Sequence, residues 1–213
     1  RLALVCYGGI SLAVYMHGIT KEIWNFARAS RNFHEGQGEA QSGALAVYQD
    51  LLSTISTDGK LHMRVIIDII AGASAGGING IFLAQAIETG QSLEPLTDLW
   101  LDNADVEKLL DPDARPAARF TKFWAQPIVW LAARRKGDAV ERTVSPETRE
   151  EVRHKLSSFV RSRWFQPPFG GKTFTKLLLD AFDSMASAKR ERALLPFSHP
   201  LDLMVTVTDF EGY

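Results

Sequence analysis

A chain of 213 residues is long enough for one domain with a sizeable core, and 46% hydrophobic with 23% charged content is ordinary for a soluble globular protein. Lys and Arg (24) nearly balance Asp and Glu (25), so the net charge of −1 provides no global field to recruit nucleic acid or an anionic surface. The single cysteine, Cys6, excludes an internal disulfide and fits a reducing compartment.

Leu2 to Tyr7 is a continuous apolar run of strand length and predicts a buried parallel strand. Gly8-Gly9 ends it. From Ser11 the spacing turns helical, with Leu12, Tyr15, Met16, Ile19, Ile23 and Phe26 three and four apart, and the helix is expected to reach about Ser30. Leu2 to Ile19 could pass for a signal peptide or a membrane span, but the glycine pair breaks the run and the two halves differ in period, so no transmembrane segment is expected. Residues 34–43 are polar and glycine-rich, a loop. Leu45 to Ile55 reads as a helix, Val65 to Ile70 as a second buried strand and Gly76 to Glu88 as another helix.

Residues 92–200 contain no clear strand and read as a helical insertion within a single domain over 1–213. Helices are expected around Pro95–Leu101, Asp105–Leu110 and Phe120–Arg135, after the Ser145-Pro146 start, and from Lys172 to Ala188. The last carries Phe174, Leu177, Leu178, Ala181, Phe182 and Met185 on one face. Leu201 to Thr208 alternates and predicts a third strand. The order is α/β with a mostly parallel sheet. The chain opens at Arg1 and stops just after a strand, so it reads as a segment lacking C-terminal strands.

The most informative stretch is Ala71-Gly72-Ala73-Ser74-Ala75-Gly76-Gly77, a Gly-x-Ser-x-Gly motif at a strand-to-helix junction. Such a turn is a nucleophile elbow: glycines allow the sharp bend, and the following helix points its free N–H groups at the serine. By itself the motif is weak, and a glycine-rich packing turn is its structural alternative. No lysine follows as a phosphate loop would need. Tyr7-Gly8-Gly9-Ile10-Ser11 is a second strand-to-helix turn, with consecutive backbone N–H groups suited to an anion. Two parallel strands ending in such turns could bring them to one sheet edge.

Together these turns resemble the patatin-like phospholipase family, in particular a bacterial patatin-related subgroup with a Gly-Gly-x-Ser-Leu loop. The resemblance covers residues 1–90 well and the last strand less closely. It implies a three-layer α/β sandwich and a Ser–Asp dyad without histidine. It implies Ser74 as nucleophile, Gly72 and Gly76 as elbow glycines, and the amides of Gly8, Gly9 and Ile10 as oxyanion hole. The substrate it implies is a phospholipid or other acyl-ester lipid, with peripheral membrane contact. The single cysteine and the lack of an expected membrane span point to a cytoplasmic location, and the balanced charge to no nucleic-acid partner. The family loop usually reads Gly-Gly-Gly-x-Arg/Lys-Gly; here Tyr7, Ser11 and Leu12 replace the first glycine, the basic residue and the last glycine. The backbone donors need not be lost with that charge. The dyad Asp-Gly-Gly or Asp-Gly-Ala is absent, and Asp58-Gly59 precedes the elbow. Asp209 is one candidate base; an aspartate beyond Tyr213 is the favoured one.

A histidine base would be drawn from His17, His34, His62, His154 and His199. His17 is nearest the glycine loop but about 10 Å along its helix. No His, Cys, Asp or Glu cluster has metal-ligand spacing, so neither metal nor cofactor is expected. Trp100, Trp124, Trp130 and Trp164 fall in the insertion, and the aromatic stretch Phe120 to Leu131 precedes Arg134-Arg135-Lys136. That pattern suits an interfacial helix, although a core face with a solvated basic end is the simpler reading. Two competing functions are a non-catalytic lipid-binding or interaction module on the same fold and an α/β-hydrolase-type esterase. The esterase usually has more than two strands before its elbow.

Overall fold

The computed structural model describes residues 1–9, 12–36, 43–103 and 171–207. They fall in two compact units, Arg1–Ala104 with Leu179–Tyr213, and Asp105–Leu178. Of the second unit only residues 171–178, the first turns of a helix, are described.

The first unit runs β1 (Leu2–Tyr7), α1 (Ala13–His34), α2 (Gly43–Asp58), β2 (Ile67–Ala73), α3 (Ala75–Thr89) and α4 (Leu96–Asn103). The helix α5 (Gly171–Ser187) enters it at Leu179, and β3 (Asp202–Thr206) follows. The sheet is parallel, in the order β1-β2-β3. Among the described strands β1 therefore lies at an edge. Only Cys6 of it is buried, while Val5 and Tyr7 are exposed, which corrects the expectation of a strand covered on both faces. β2 is the central, most buried strand.

α3 is the core helix. It is apolar on nearly every side, and Phe82, Leu83 and Ile87 are almost wholly buried. Small residues let it approach the sheet closely: a β-carbon on Gly77 would stand 3.0 Å from Val205 Cγ1, and one on Gly80 3.1 Å from Ile70 Cγ2. Cys6, Gly72 and Val205 thus mark the helix-covered face. Val5, Tyr7 and Met204 belong to the opposite face and are exposed. The layer that the resemblance implies over that face is not among the described residues.

α1 is helical as its spacing requires, but its buried stripe does not follow all of the apolar residues that carry that spacing. Tyr15 and Ile19 are exposed, whereas Ala13, His17, Thr20, Trp24, Ala27 and Arg31 are buried. α1 packs against α3, and its buried Thr20 and Arg31 have polar partners, whereas His34 Nε2 is buried with none among the described residues. Thr20 Oγ1 donates to the Met16 and His17 carbonyls at 3.0 Å each. Arg31 Nη2 reaches Glu191 at 2.9 Å, and Arg28 pairs with the same carboxylate while stacking over Trp24 at 4.2 Å. The half of α5 in this unit buries Ala181 and Met185, and Phe182 meets Phe82 edge-on at 5.2 Å. Trp100 on α4 is buried near Phe82. The other three insertion tryptophans, the aromatic-basic stretch and His154 lie outside the described residues.

β2 starts two residues later than its apolar run and continues through Ala71-Gly72-Ala73 to the serine. Val65 and Ile66 precede the strand: Val65 N–H donates to Ser30 Oγ at 2.7 Å, and the Ile66 carbonyl accepts from Leu2 N–H at 2.7 Å.

Candidate active site

Ser74 is the single residue between β2 and α3, and it is exposed. Its backbone sits at φ 54°, ψ −131°, a region that non-glycine residues rarely occupy. Such a conformation costs about 1–3 kcal/mol and persists only where the surroundings impose it. Here two constraints do so. The strand pairs through Ala73 with Tyr7 and Thr206, and the helix starts at Ala75 with Ile78 N–H donating to Ser74 O at 3.1 Å.

The elbow glycines are required by close approach rather than by φ. A β-carbon on Gly72 would lie 2.7 Å from Gly76 O and from Gly77 Cα. One on Gly76 would overlap the Cys6 carbonyl oxygen. The helix N-terminus is therefore pressed onto the ends of both β1 and β2. No acidic side chain lies in the first turn of α3, so the positive end of its dipole faces the serine unneutralised by its own helix.

The glycine turn after β1 arrives beside this elbow. Cys6 pairs with Gly72 and Tyr7 with Ala73, so Gly8 and Ser74 are the next residues on adjacent strands. A β-carbon on Gly8 would stand 2.7 Å from Gly76 N, while one on Gly9 would meet nothing within 4 Å among the described residues. Leu12 N–H donates to Gly9 O at 2.9 Å, closing the turn into α1. Ile10 and Asp209 lie outside the described residues.

A residue that sequence reading passed over joins these pieces. Asn79 is buried in α3, and its Nδ2 donates to Ala13 O at 3.2 Å and to Ala75 O at 3.0 Å. A lone asparagine among Gly, Ile, Phe, Leu and Ala was the available signal, because a buried amide must find partners.

The described histidines have other occupations. His17 Nε2 lies 3.1 Å from Thr97 Oγ1, and burial lowers its pKa to about 4, with Lys21 adding to the effect. His34 and His62 stack edge-on at 4.5 Å near the far end of α1, roughly 30 Å from its start. His199 Nε2 contacts Asp68 Oδ2 at 2.7 Å, six residues before Ser74 and so roughly 20 Å away along β2. Asp68, which also accepts from Arg1, is held below its ordinary pKa, first by the His199 hydrogen bond. Cys6 has its thiol pKa raised by burial and is no rival nucleophile. Among the described residues no group of three or more His, Cys, Asp or Glu could hold a metal ion. Among them, too, no helix is long and apolar enough to cross a membrane.

Parallel strands covered by a buried helix, with a serine raised on a strained strand-to-helix turn, define an α/β domain of the serine-elbow type. The sequence profile of the patatin-like phospholipase family matches residues 36–207, and the chain belongs to that family of lipid acyl hydrolases. The matched span takes in residues 92–200, which the sequence pattern marked as a helical insertion, and begins after the glycine turn. The chain is also similar to a Mycobacterium tuberculosis (strain ATCC 25618 / H37Rv) protein described as "Uncharacterized membrane protein Rv3479". The two are 40% identical over 121 residues, which are 53% of this chain and 11% of that protein. The chain thus corresponds to a small part of that relative's length. No solved structure matches.

Proposed function

We propose that this domain cleaves fatty-acyl esters of phospholipids or lysophospholipids, with Ser74 as nucleophile. Ser74 Oγ attacks the ester carbonyl while its proton passes to an aspartate, and the carbonyl oxygen becomes an oxyanion. The amides of Gly8, Gly9 and Ile10 stabilise that charge, aided by the N-terminal end of α3. Collapse breaks the ester C–O bond, expels the lipid alcohol with a proton, and leaves an acyl ester on Ser74. Water then attacks that ester, releases the fatty acid and returns the proton to Ser74. The favoured base is an aspartate after Tyr213, and Asp209 is the alternative within this sequence.

The observation that carries this reading is the strained, exposed Ser74 beside Gly8. A packing turn has no need to hold an exposed serine at φ 54°. The membrane-protein description of the mycobacterial relative agrees with a substrate held in a lipid surface and with peripheral contact there.

The test is labelling of the native full-length chain with a fluorophosphonate, alongside hydrolysis of a lysophospholipid. Both activities should vanish in Ser74→Ala while folding persists. Folded wild-type protein that neither labels nor hydrolyses would instead favour a non-catalytic lipid-binding or interaction module.

A further inference from the structure

We infer that Asn79 is a positioning residue for the oxyanion-binding turn, an inference that rests on the hydrolase reading above. The glycine turn is fixed at its start by the β1–β2 pairing and by the contact of Gly8 with the Gly76 amide. At its end the chain enters α1 at Ala13. The Ala13 carbonyl is tied to α3 by Asn79 Nδ2 at 3.2 Å, and the same nitrogen donates to Ala75 O, next to Ser74, at 3.0 Å. One buried amide therefore spans from the exit of the donor turn to the first turn behind the nucleophile.

The direction of this amide is chemically determined. Turning it over would set Oδ1 against two carbonyl oxygens, neither of which can donate. In the observed direction Oδ1 is buried without a hydrogen-bond partner among the described residues. An unmet acceptor in a core is unfavourable, so the two Nδ2 contacts are what hold this side chain in place. Hydrophobic packing would be served better by leucine. What leucine lacks is a donor that couples the position of α1, and with it the Gly8 and Gly9 amides, to Ser74. Oxyanion donors act only at their proper distance from the developing charge, and losing one typically lowers kcat by about 10²–10³.

Two variants of the full-length chain test this. Asn79→Ser can still bond Ala75 O within α3 but is too short to reach Ala13. It should fold cooperatively, lose at least tenfold in kcat on a short-chain ester and keep KM within about threefold, since donor placement matters most in the transition state. Asn79→Asp places a carboxylate against both carbonyls. Its kcat relative to wild type should be lowest at neutral pH and rise as the pH falls, because the protonated acid regains one donor. Wild-type kcat in folded Asn79→Ser, or a pH-independent ratio for Asn79→Asp, would falsify the positioning role while leaving the hydrolase reading intact. A wild-type chain without activity or labelling would overturn both.

Discussion

Gly8 packs against Gly76 so closely that a β-carbon at residue 8 would meet the Gly76 nitrogen at 2.7 Å. This contact joins the turn after the edge strand to the helix that begins at the elbow. It predicts a sharp difference between neighbouring glycines. Gly8→Ala must push the turn away from α3, at a cost of about 1–3 kcal/mol and a large loss of fluorophosphonate labelling. Gly9→Ala meets nothing within 4 Å among the described residues and has no positive φ to preserve, so its stability should stay within about 0.5 kcal/mol of wild type. Denaturant midpoints of the two variants, measured side by side, check this.

The strain at Ser74 gives a second expectation. Glycine tolerates φ 54°, ψ −131°, and its own entropy cost of about 0.5–1 kcal/mol is smaller than the strain it relieves. Ser74→Gly should therefore abolish activity yet stabilise the fold by about 1 kcal/mol, roughly 2–4 °C in Tm. Ser74→Ala keeps the β-carbon and the strain, so its Tm should match that of wild type. A calorimetric scan in which both variants melt like the parent would remove the case for strain.

His17 makes the fold sensitive to mild acid. Its folded pKa of about 4 lies below the ordinary 6.5, so the unfolded chain binds the proton more readily. Its contribution to stability is complete above pH 6.5 and is lost as the pH falls from there toward 4. His17→Gln keeps a polar group near Thr97 but cannot take the charge. The urea midpoint of wild type should fall more steeply than that of the variant between pH 7 and 4, with parallel curves counting against this origin.

Asp68 acts in a lower window. Its carboxylate accepts from His199 and Arg1, and its folded pKa lies below the ordinary 3.8. This contribution is present above pH 3.8 and disappears as the pH falls through the lower folded value. Asp68→Asn should lower the melting temperature at pH 7 and flatten the residual decline below pH 4. An unchanged slope in that range would assign the acid loss to other groups.

The elements that carry local patterns were legible in the sequence. Leu2 to Tyr7 forms β1 as expected, and the Gly-x-Ser-x-Gly run sits at a strand-to-helix turn. Where pattern and pairing diverge, the sequence misled. Val65 and Ile66 are as apolar as the strand beside them, yet β1 begins at Leu2, whose ladder partner is Ile67. Ala71-Gly72-Ala73 resembles a turn but continues the strand, because small residues are what α3 needs against the sheet. The face that α1 buries does not follow from its larger apolar residues either. Tyr15 and Ile19 stay exposed, while Ala13, Thr20 and Ala27 are buried and His17 and Arg31 are closed in with polar partners. Bonds between distant positions leave no local trace, as with Asp68 and His199 or Arg31 and Glu191. The elbow and the glycine turn were visible as candidates for one site; the Asn79 link between their helices was not.

The two halves of the candidate site are mounted on strands of unequal firmness. Ser74 terminates β2, which is hydrogen-bonded on both sides, whereas the glycine turn terminates β1, which pairs on one side only among the described strands. Edge elements open at lower free energy than central ones. Transient fraying of β1 can therefore withdraw the Gly8 and Gly9 amides while the serine stays in place. Heat inactivation would then set in as a local event, ahead of global melting, and slower amide hydrogen exchange in β2 than in β1 is its physical signature.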